Sequence, residues 1–387
     1  MSAIQTFIER SRRIVIKVGS SLLVDHDNRA NRPWLMTLAR DIADLHANGK
    51  QVVIVSSGAI ALGRQSLVWG PRKLELEEKQ AAAACGQIKL ISEWATALEF
   101  QDRQPLSAAQ ILLTLDDSEN RRRYLNARNT FETLLAQGNI IPIVNENDTV
   151  ATEEIRVGDN DRLAARVAQM ITADLLILLS DVAGLYTEDP SKNPNRAMLV
   201  REVNEIIPEI EAMAGGVGSP MGSGGMRTKI EAARIALAAG CHVLISCGIQ
   251  PHTIRLLVNG GDCTWFKTNA SPQSARKHWI SGKLNSRGTY VLDEGAVRAL
   301  VTGKSLLPAG VERVFGEFDR GDAVTIDTIR GRRIGKGLSE YSSADASRII
   351  GAQSSEIEKI LGFKYRDTLI HRDDLVLENG AANLDEN

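Results

Sequence analysis

The stretch Ile141-Pro-Ile-Val-Asn-Glu-Asn-Asp-Thr-Val150 runs an apolar segment directly into short amides and carboxylates, Asn145, Glu146, Asn147 and Asp148. A second cluster, Asp159, Asn160 and Asp161 within Val157-Gly-Asp-Asn-Asp-Arg162, comes just before the helical spacing of Leu163, Ala164, Val167 and Ile171. Asn, Asp and Gly also build ordinary turns and helix caps, and one such cluster alone reads as a turn more readily than as a site. Two clusters, accompanied by glycine-containing strand ends elsewhere, point to a pocket for a small polar molecule. Polar groups at the carboxyl end of a buried strand and at the start of the next helix lie where open α/β sheets bind ligands.

Two lysines stand beside small-residue turns, Lys17 in Lys17-Val-Gly-Ser-Ser21 and Lys229 in Gly222-Ser-Gly-Gly-Met-Arg-Thr-Lys229. Backbone N–H groups of such turns can face a phosphate. A cation in the first turn of a helix opposes the helix dipole by about 0.3–1 kcal/mol, so Lys229 makes physical sense beside an anion. A solvated surface lysine is the plain alternative for Lys229, and a weaker one for Lys17, which directly follows the apolar run Ile14-Val-Ile16. Neither segment fits G-x-x-x-x-G-K-[ST], and no strand opens onto G-x-G-x-x-G followed by an acid, so P-loop and Rossmann readings are weak. The histidines, His26, His46, His242, His252, His278 and His371, all lie outside the polar clusters, and no Ser-His-Asp set is apparent. Two lysines and glycine turns fit phosphoryl transfer, where catalysis is mainly positioning and neutralisation of charge. An acceptor carboxylate, already ionised at pH 7, needs no general base.

Repeated units must position these groups. From residue 13 to about residue 265 the chain alternates short apolar runs, glycine turns and helical patterns: Ile14-Val-Ile16, Val52-Val-Ile-Val55 leading to Ser56-Ser-Gly-Ala-Ile60, Ile140 to Val144, Leu175 to Leu179, and His242 to Ile245. Continuous Val/Ile/Leu runs separated by helices indicate a layered α/β fold with a mostly parallel sheet covered on both faces. Past Pro272 the texture changes to short alternating segments such as Gly310-Val-Glu-Arg-Val-Phe-Gly316 and Ala323-Val-Thr-Ile-Asp327, punctuated by glycines, which predicts a small β-rich barrel or sandwich. The expected division is residues 1–270, a boundary near 270–285, a second domain over 286–366, and a polar, frayed tail over 367–387.

Composition narrows the function classes. A chain of 387 residues suits two domains, and 43% hydrophobic content with 24% charge is ordinary for a globular protein. Lys plus Arg 46 against Asp plus Glu 48 gives a net charge of −2, so no global basic field recruits nucleic acid or anionic membrane. Cys85, Cys241, Cys247 and Cys263 form no Cys-x-x-Cys pair and read as buried thiols of a reducing compartment. Met1 to Arg13 lack the apolar core of a secretory signal and no run reaches membrane-spanning length, which makes the cytoplasm the default.

Lys17-Val-Gly-Ser-Ser21, Ser56-Ser-Gly-Ala-Ile60, Asn145-Glu-Asn-Asp148, Gly158-Asp-Asn-Asp161, Ser180-Asp-Val-Ala-Gly-Leu-Tyr-Thr187 and Ser223-Gly-Gly-Met-Arg-Thr-Lys229 together resemble the amino acid kinase family over about residues 12–265. Within it the resemblance is to the branch that uses ATP to phosphorylate the γ-carboxylate of L-glutamate, giving L-glutamyl 5-phosphate and ADP at the first step of proline biosynthesis. N-Acetylglutamate is the runner-up acceptor. Residues 286–366, including Gly310-Val-Glu-Arg-Val-Phe-Gly-Glu-Phe-Asp-Arg-Gly-Asp322, are similar to the PUA domain. Motif by motif, the resemblance implies that Lys17 contacts the ATP phosphates, Lys229 stabilises the transferring group and Asp161 orients both lysines. It also implies that Ser57, Asp148 and Asn160 hold the acceptor, with Gly58, Asn145 and Asp159 close by. Gly19, Ser180, Asp181, Ser223, Gly224, Gly225, Met226, Arg227 and Thr228 would complete the nucleotide site, and Mg²⁺ would ride on the ATP oxygens. Ser56, Ser180 and Ser223 stand where relatives often carry Thr, and Arg227 replaces a smaller loop residue. The family further implies a homo-oligomer and feedback by proline. RNA binding through residues 286–366 is a second reading from another class, but 13 Lys and Arg against 11 Asp and Glu there make a faint basic footprint.

Overall fold

The computed structural model describes residues 3–67, 69, 72–101, 105–151, 159–215, 225–283 and 285–378. It divides into two compact units: Met1–Glu119 with Ala127–Pro272, and Asn120–Asn126 with Gln273–Asn387.

The first unit is built on β1 (Arg13–Val18), β2 (Gln51–Ser56), β3 (Ser107–Leu113), β4 (Ile140–Glu146), β5 (Leu175–Ser180), β6 (Glu202–Val203), β7 (His242–Cys247) and β8 (Cys263–Phe266). They form one sheet in the order β3-β4-β2-β1-β5-β7-β8-β6, parallel except where β8 runs antiparallel to β7. Every residue of β5 is buried, which is what a Leu/Ile run becomes when helices cover both faces of its sheet. Its register is pinned at the start: the Asp174 carboxylate accepts from the backbone N–H groups of Arg12 at 2.8 Å and Arg13 at 2.9 Å, setting β1 and β5 level. Ile14 then pairs with Val52 and Leu175, and Lys17 with Val55 and Leu178, so β1, β2 and β5 end together. Chain direction across the sheet reverses at β1, with β2 and β4 on one side and β5 and β7 on the other. A crevice outside the carboxyl ends follows from that reversal.

Two helices behind β2, Ala59–Leu67 and Leu76–Glu99, approach with backbones in contact. A Cβ on Gly86 would lie 1.7 Å from the Ala59 carbonyl oxygen, and one on Gly63 would lie 1.8 Å from that of Ala82. Only glycine permits this antiparallel interlock, which fixes Ala59 opposite Gly86 and Gly63 opposite Ala82.

The second unit carries β9 (Gly288–Leu292), β10 (Val311–Gly316), β11 (Ala323–Thr328), β12 (Arg333–Leu338) and β13 (Leu375–Leu377), ordered β10-β9-β11-β12-β13. This is the small β-rich domain expected past Pro272, with β10 and β13 as the end strands of its sheet. β11 is core, as its alternation predicts, whereas β10 lies at an edge with Phe315 52% exposed. The tail boundary at residue 367 is also corrected. Leu369 and Ile370 are fully buried, Leu369 N–H donates to the Leu306 carbonyl at 2.8 Å, and buried Asp374 pairs with Arg276 before β13 joins the sheet. Acidic composition masked these contacts because Asp374 is neutralised by a buried partner remote in sequence. Residues 379–387 lie outside the described set.

Of the four free cysteines Cys241 and Cys263 are buried, while Cys85 and Cys247 are only half-buried, contrary to the expectation of uniform burial. Gly86→Ala should lower the unfolding free energy of the first unit by about 1–3 kcal/mol, the usual cost of overpacking. Urea titration followed by tryptophan fluorescence measures it, and an unchanged midpoint would refute the interlock.

Candidate active site

At the carboxyl ends of β1, β2, β4 and β5 a cleft of about 670 Å³ is lined by Lys17, Gly19, Ser57, Gly58, Asn145, Asp148, Asn160, Ser180, Asp181, Gly225 and Lys229, with further residues of the two interlocked helices. Eleven predicted positions therefore share one cavity. They reach it from six chain segments, held level by the strand register described above.

Asp161 lies behind this surface at 1% exposure. It is the third residue of the helix Asp159–Met170, so it stands inside the first turn rather than at its cap, where an anion is favoured by the dipole. Its two oxygens are divided between two cations: Oδ1 lies 2.6 Å from Lys17 Nζ, and Oδ2 lies 3.2 Å from Lys229 Nζ. Thr228 Oγ1 donates to Oδ2 at 2.9 Å, and Lys229 Nζ also donates to the Gly225 carbonyl at 3.2 Å, which draws the lysine back along its own helix, Gly225–Ala238. Both lysines are only 6% exposed. Burial pushes the Lys17 ammonium below its ordinary pKa; Asp161 opposes this and the like charge of Lys229 adds to it. For Asp161 burial works upward, but Lys17 and Lys229, with hydrogen bonds from Lys17 and Thr228, outweigh it and hold the carboxyl below its usual range. The group is thus ionised at neutral pH, and the set carries a net single positive charge toward the cleft.

On the β2 and β4 side a second network fixes three short side chains. Asn160 Nδ2 donates to Ser57 Oγ at 2.7 Å and to Asn145 Oδ1 at 3.0 Å, and Asn145 Nδ2 donates to Gln87 Oε1 at 2.8 Å. With its amide nitrogen engaged twice, Asn160 has Oδ1 buried and without a hydrogen-bond partner among the described residues. A buried carbonyl oxygen in that state has acceptor capacity to spare. Ser57 N–H is itself fixed by the Val18 carbonyl at 3.0 Å, and Trp94 Nε1 donates to Ser56 Oγ at 2.9 Å. Asp148, 8% exposed, lines the same side.

On the β5 side Ser180 Oγ donates to Asp181 Oδ1 at 3.0 Å. Arg227 is exposed and pairs with Glu231 at 3.5 Å one turn along its helix, away from the cleft lining, which answers where the enlarged loop residue points. Met226 and Thr228 are half-buried outside the lining, Thr228 acting on Asp161. Ser223, Gly224 and the side chain of Asp159 lie outside the described residues. Gln87 and the cleft-lining Lys79 and Arg64 were missed by motif reasoning. The one available signal was a polar residue, Gln87, following the small-residue run Ala81 to Gly86 on a helix.

A separate groove of about 810 Å³ in the second unit is lined by Arg287, Arg333, Lys336 and Phe315, among others. Its cations face protein partners: Arg287 lies 3.7 Å from Asp322, Arg333 3.3 Å from Asp327, and Lys336 donates to the Ser281 carbonyl at 3.3 Å.

Comparison with known proteins agrees with the division of the chain into two units. Residues 12–247 match the amino acid kinase family, and residues 288–361 match the PUA domain. A protein of Paramagnetospirillum magneticum named Glutamate 5-kinase is 57% identical over 369 residues, covering 95% of this chain and 98% of that protein. Proteins of the same name from Rhodopseudomonas palustris and Rhodospirillum rubrum are 55% and 54% identical, covering 95% and 96% of this chain and 96% and 98% of their own. With its paired lysines, dividing carboxylate and matching sequence over more than half its length, this chain belongs to the amino acid kinase family.

Proposed function

We propose that the protein is a glutamate 5-kinase, a phosphotransferase with a carboxyl group as acceptor, which transfers the γ-phosphoryl group of ATP to the γ-carboxylate of L-glutamate and so opens proline biosynthesis. Identity of 54–57% along nearly the whole chain to proteins of that name supports the reaction. The observation that carries the chemistry is the carboxylate of Asp161 shared between Lys17 and Lys229.

In this reading the two ammonium groups meet the phosphates. Lys17 neutralises the non-transferred oxygens and Lys229 the charge on the moving group, as phosphoryl transfer requires. Asp161 is a positioning residue that holds both lysines without consuming the net positive charge. The nucleotide enters with Mg²⁺ on its phosphate oxygens as part of that substrate. No group of three or more His, Cys, Asp or Glu ligands occurs among the described residues, and both Asp161 oxygens are taken by lysines. Ser180, Asp181, Gly19 and the loop ending at Gly225 accompany the nucleotide, and Ser223 and Gly224 belong to the same proposal.

The acceptor lies against Ser57, Gly58, Asn145, Asp148 and Asn160, with Asp159 adjoining in sequence. Its α-ammonium supplies the donor that the buried Asn160 Oδ1 lacks and the cation that Asp148 matches. N-Acetylglutamate offers one neutral N–H there and brings no positive charge toward Asp148, which favours free glutamate. The incoming γ-carboxylate is already ionised, so the site needs no base. The proposal extends to a homo-oligomer in the cytoplasm under feedback by proline. Among the described residues no helix is long and apolar enough to cross a membrane.

ADP release measured with glutamate, N-acetylglutamate and aspartate, with hydroxylamine to trap the acyl phosphate, tests the reaction. Glutamate should be strongly preferred, and equal turnover with the acetylated compound would overturn the assignment. Lys229→Ala should abolish turnover, a loss on the order of a hundredfold or more, while sparing glutamate binding. An unchanged kcat would remove Lys229 from the mechanism. Asp148→Asn should raise the KM for glutamate with little change in kcat, and a reversed split would place Asp148 elsewhere.

Asp161 makes a pH-dependent contribution as well. Its folded pKa is depressed, so its stabilisation is complete above the unfolded value near 4 and disappears as pH falls through the lower folded value. Asp161→Asn should therefore cost about 3–5 kcal/mol at pH 7 and flatten the acid limb of denaturant-measured stability. An acid limb as steep as that of the parent protein would show that other carboxylates set it.

A further inference from the structure

L-Glutamate carries two carboxylates at pH 7, and the side chains that meet the amino acid in the proposed mechanism, those of Ser57, Asn145, Asp148 and Asn160, include no cation. The γ-carboxylate moves toward the phosphoryl group and its lysines. The α-carboxylate remains without a positive partner.

The cleft offers one on the acceptor side. Lys79 lies in the first turn of the helix Leu76–Glu99, half-buried in the cleft wall, and its ammonium makes no hydrogen bond or ion pair with any described residue. A lysine in that position works against the helix dipole and gives up side-chain freedom, with no carboxylate among the described residues in ion-pair contact to compensate. Arg64, half-buried in the same wall, donates to the Arg72 carbonyl and forms no ion pair with a described acid. Glu78, its neighbour on the same helix, is held by Arg72 at 2.7 Å instead. The glycine interlock, with Gly63 against Ala82, places Arg64 within about a turn of Lys79 across the helix pair. Two like charges are thus held together on a rigid support.

Their side of the cleft follows from the topology. Both helices follow β2, and the Lys79 helix also holds Asn145 through Gln87, two turns further on. Ser180, Asp181, Gly225 and Lys229 hang from β5 and the helix Gly225–Ala238 on the other side of β1. We propose that Lys79, supported by Arg64, receives the α-carboxylate of the acceptor and makes a second carboxylate a requirement for turnover. This rests on the glutamate kinase reading above.

The test compares L-glutamate with its α-amide, which keeps the γ-carboxylate and the α-ammonium but lacks the second negative charge. ADP release is measured with the full-length protein. Lys79→Gln should raise the KM for L-glutamate on the order of tenfold with kcat nearly unchanged, while the already high KM for the α-amide stays put. Lys79→Arg should retain the preference, and Arg64→Gln should shift it in the same direction by less, so a variant that folds poorly does not decide the matter. An equal rise for both compounds, a rise confined to the KM for ATP, or no change in either would overturn the assignment. If the unaltered protein releases no ADP with L-glutamate at all, it is the kinase reading that has failed.

Discussion

One carboxylate between two ammonium groups organises this cleft. Lys17 belongs to the central strand, Lys229 and Asp161 to two different helices, and among the described residues the only anion in contact with both cations is Asp161. Without it, two buried positive charges a few ångströms apart would repel by several kcal/mol at an effective dielectric near 20. With it, each oxygen fixes one lysine and a single positive charge is left over. Removing three charges from water costs about as much as their attraction returns, so a buried set of this kind is a poor device for stability alone. Its position at the wall of a cavity gives it another use: it is charge arranged in advance for a ligand that brings more negative charge than the chain provides.

The remaining architecture exists to aim other groups at the same point. Because β1, β2 and β5 end level, the residues just past each strand meet across the crevice without long loops. The reversal of chain order at β1 then separates two chemistries. Amides, a hydroxyl and a carboxylate gather over β2 and β4, and the serine–aspartate pair with Gly225 and Lys229 over β5 and its neighbouring helix. A nucleotide and an amino acid can therefore approach from opposite sides and meet over Lys17, which matches the in-line geometry that phosphoryl transfer needs.

Much of this was legible in the chain. Apolar runs ending in short polar residues marked β1, β2, β4 and β5 and their functional ends, since strand ends need turn chemistry and the site uses the same residue types. The two lysines stood out because one follows a buried run and the other comes near the start of a helical pattern, where it is the fifth residue of the helix. Pairings between remote residues carried no local signal. Gln87 on Asn145, Thr228 on Asp161 and Arg276 on Asp374 join positions separated by 58, 67 and 98 residues, and only the folded sheet brings them together. The extent of the second unit was misjudged for the same reason, since an acidic segment reads as a tail until its buried cationic partner is known. Lys79 and Arg64 were hidden differently. Isolated basic residues on helices are usually solvated, and nothing in their own neighbourhood reveals that a glycine interlock turns them into a cavity.

The histidines complete the chemical argument. His242 stacks against Phe7 and Trp265 and accepts from Trp265 Nε1 at 3.2 Å, and burial lowers its pKa, so it stays neutral as a packing group. His252 is bound through Nδ1 to Asp41 at 2.8 Å, where the same carboxylate accepts from the first amides of the helix Thr253–Val258. Among the described residues no histidine lines the cleft, and its carboxylates are Asp148, Asp181 and Glu146. A hydroxyl acceptor would need a base positioned to take its proton during attack. A carboxylate acceptor brings its own lone pair already free of a proton and needs only to be oriented and relieved of repulsion from the phosphates. A cavity furnished with cations, amides and a hydroxyl, and not with imidazole, is matched to the second task.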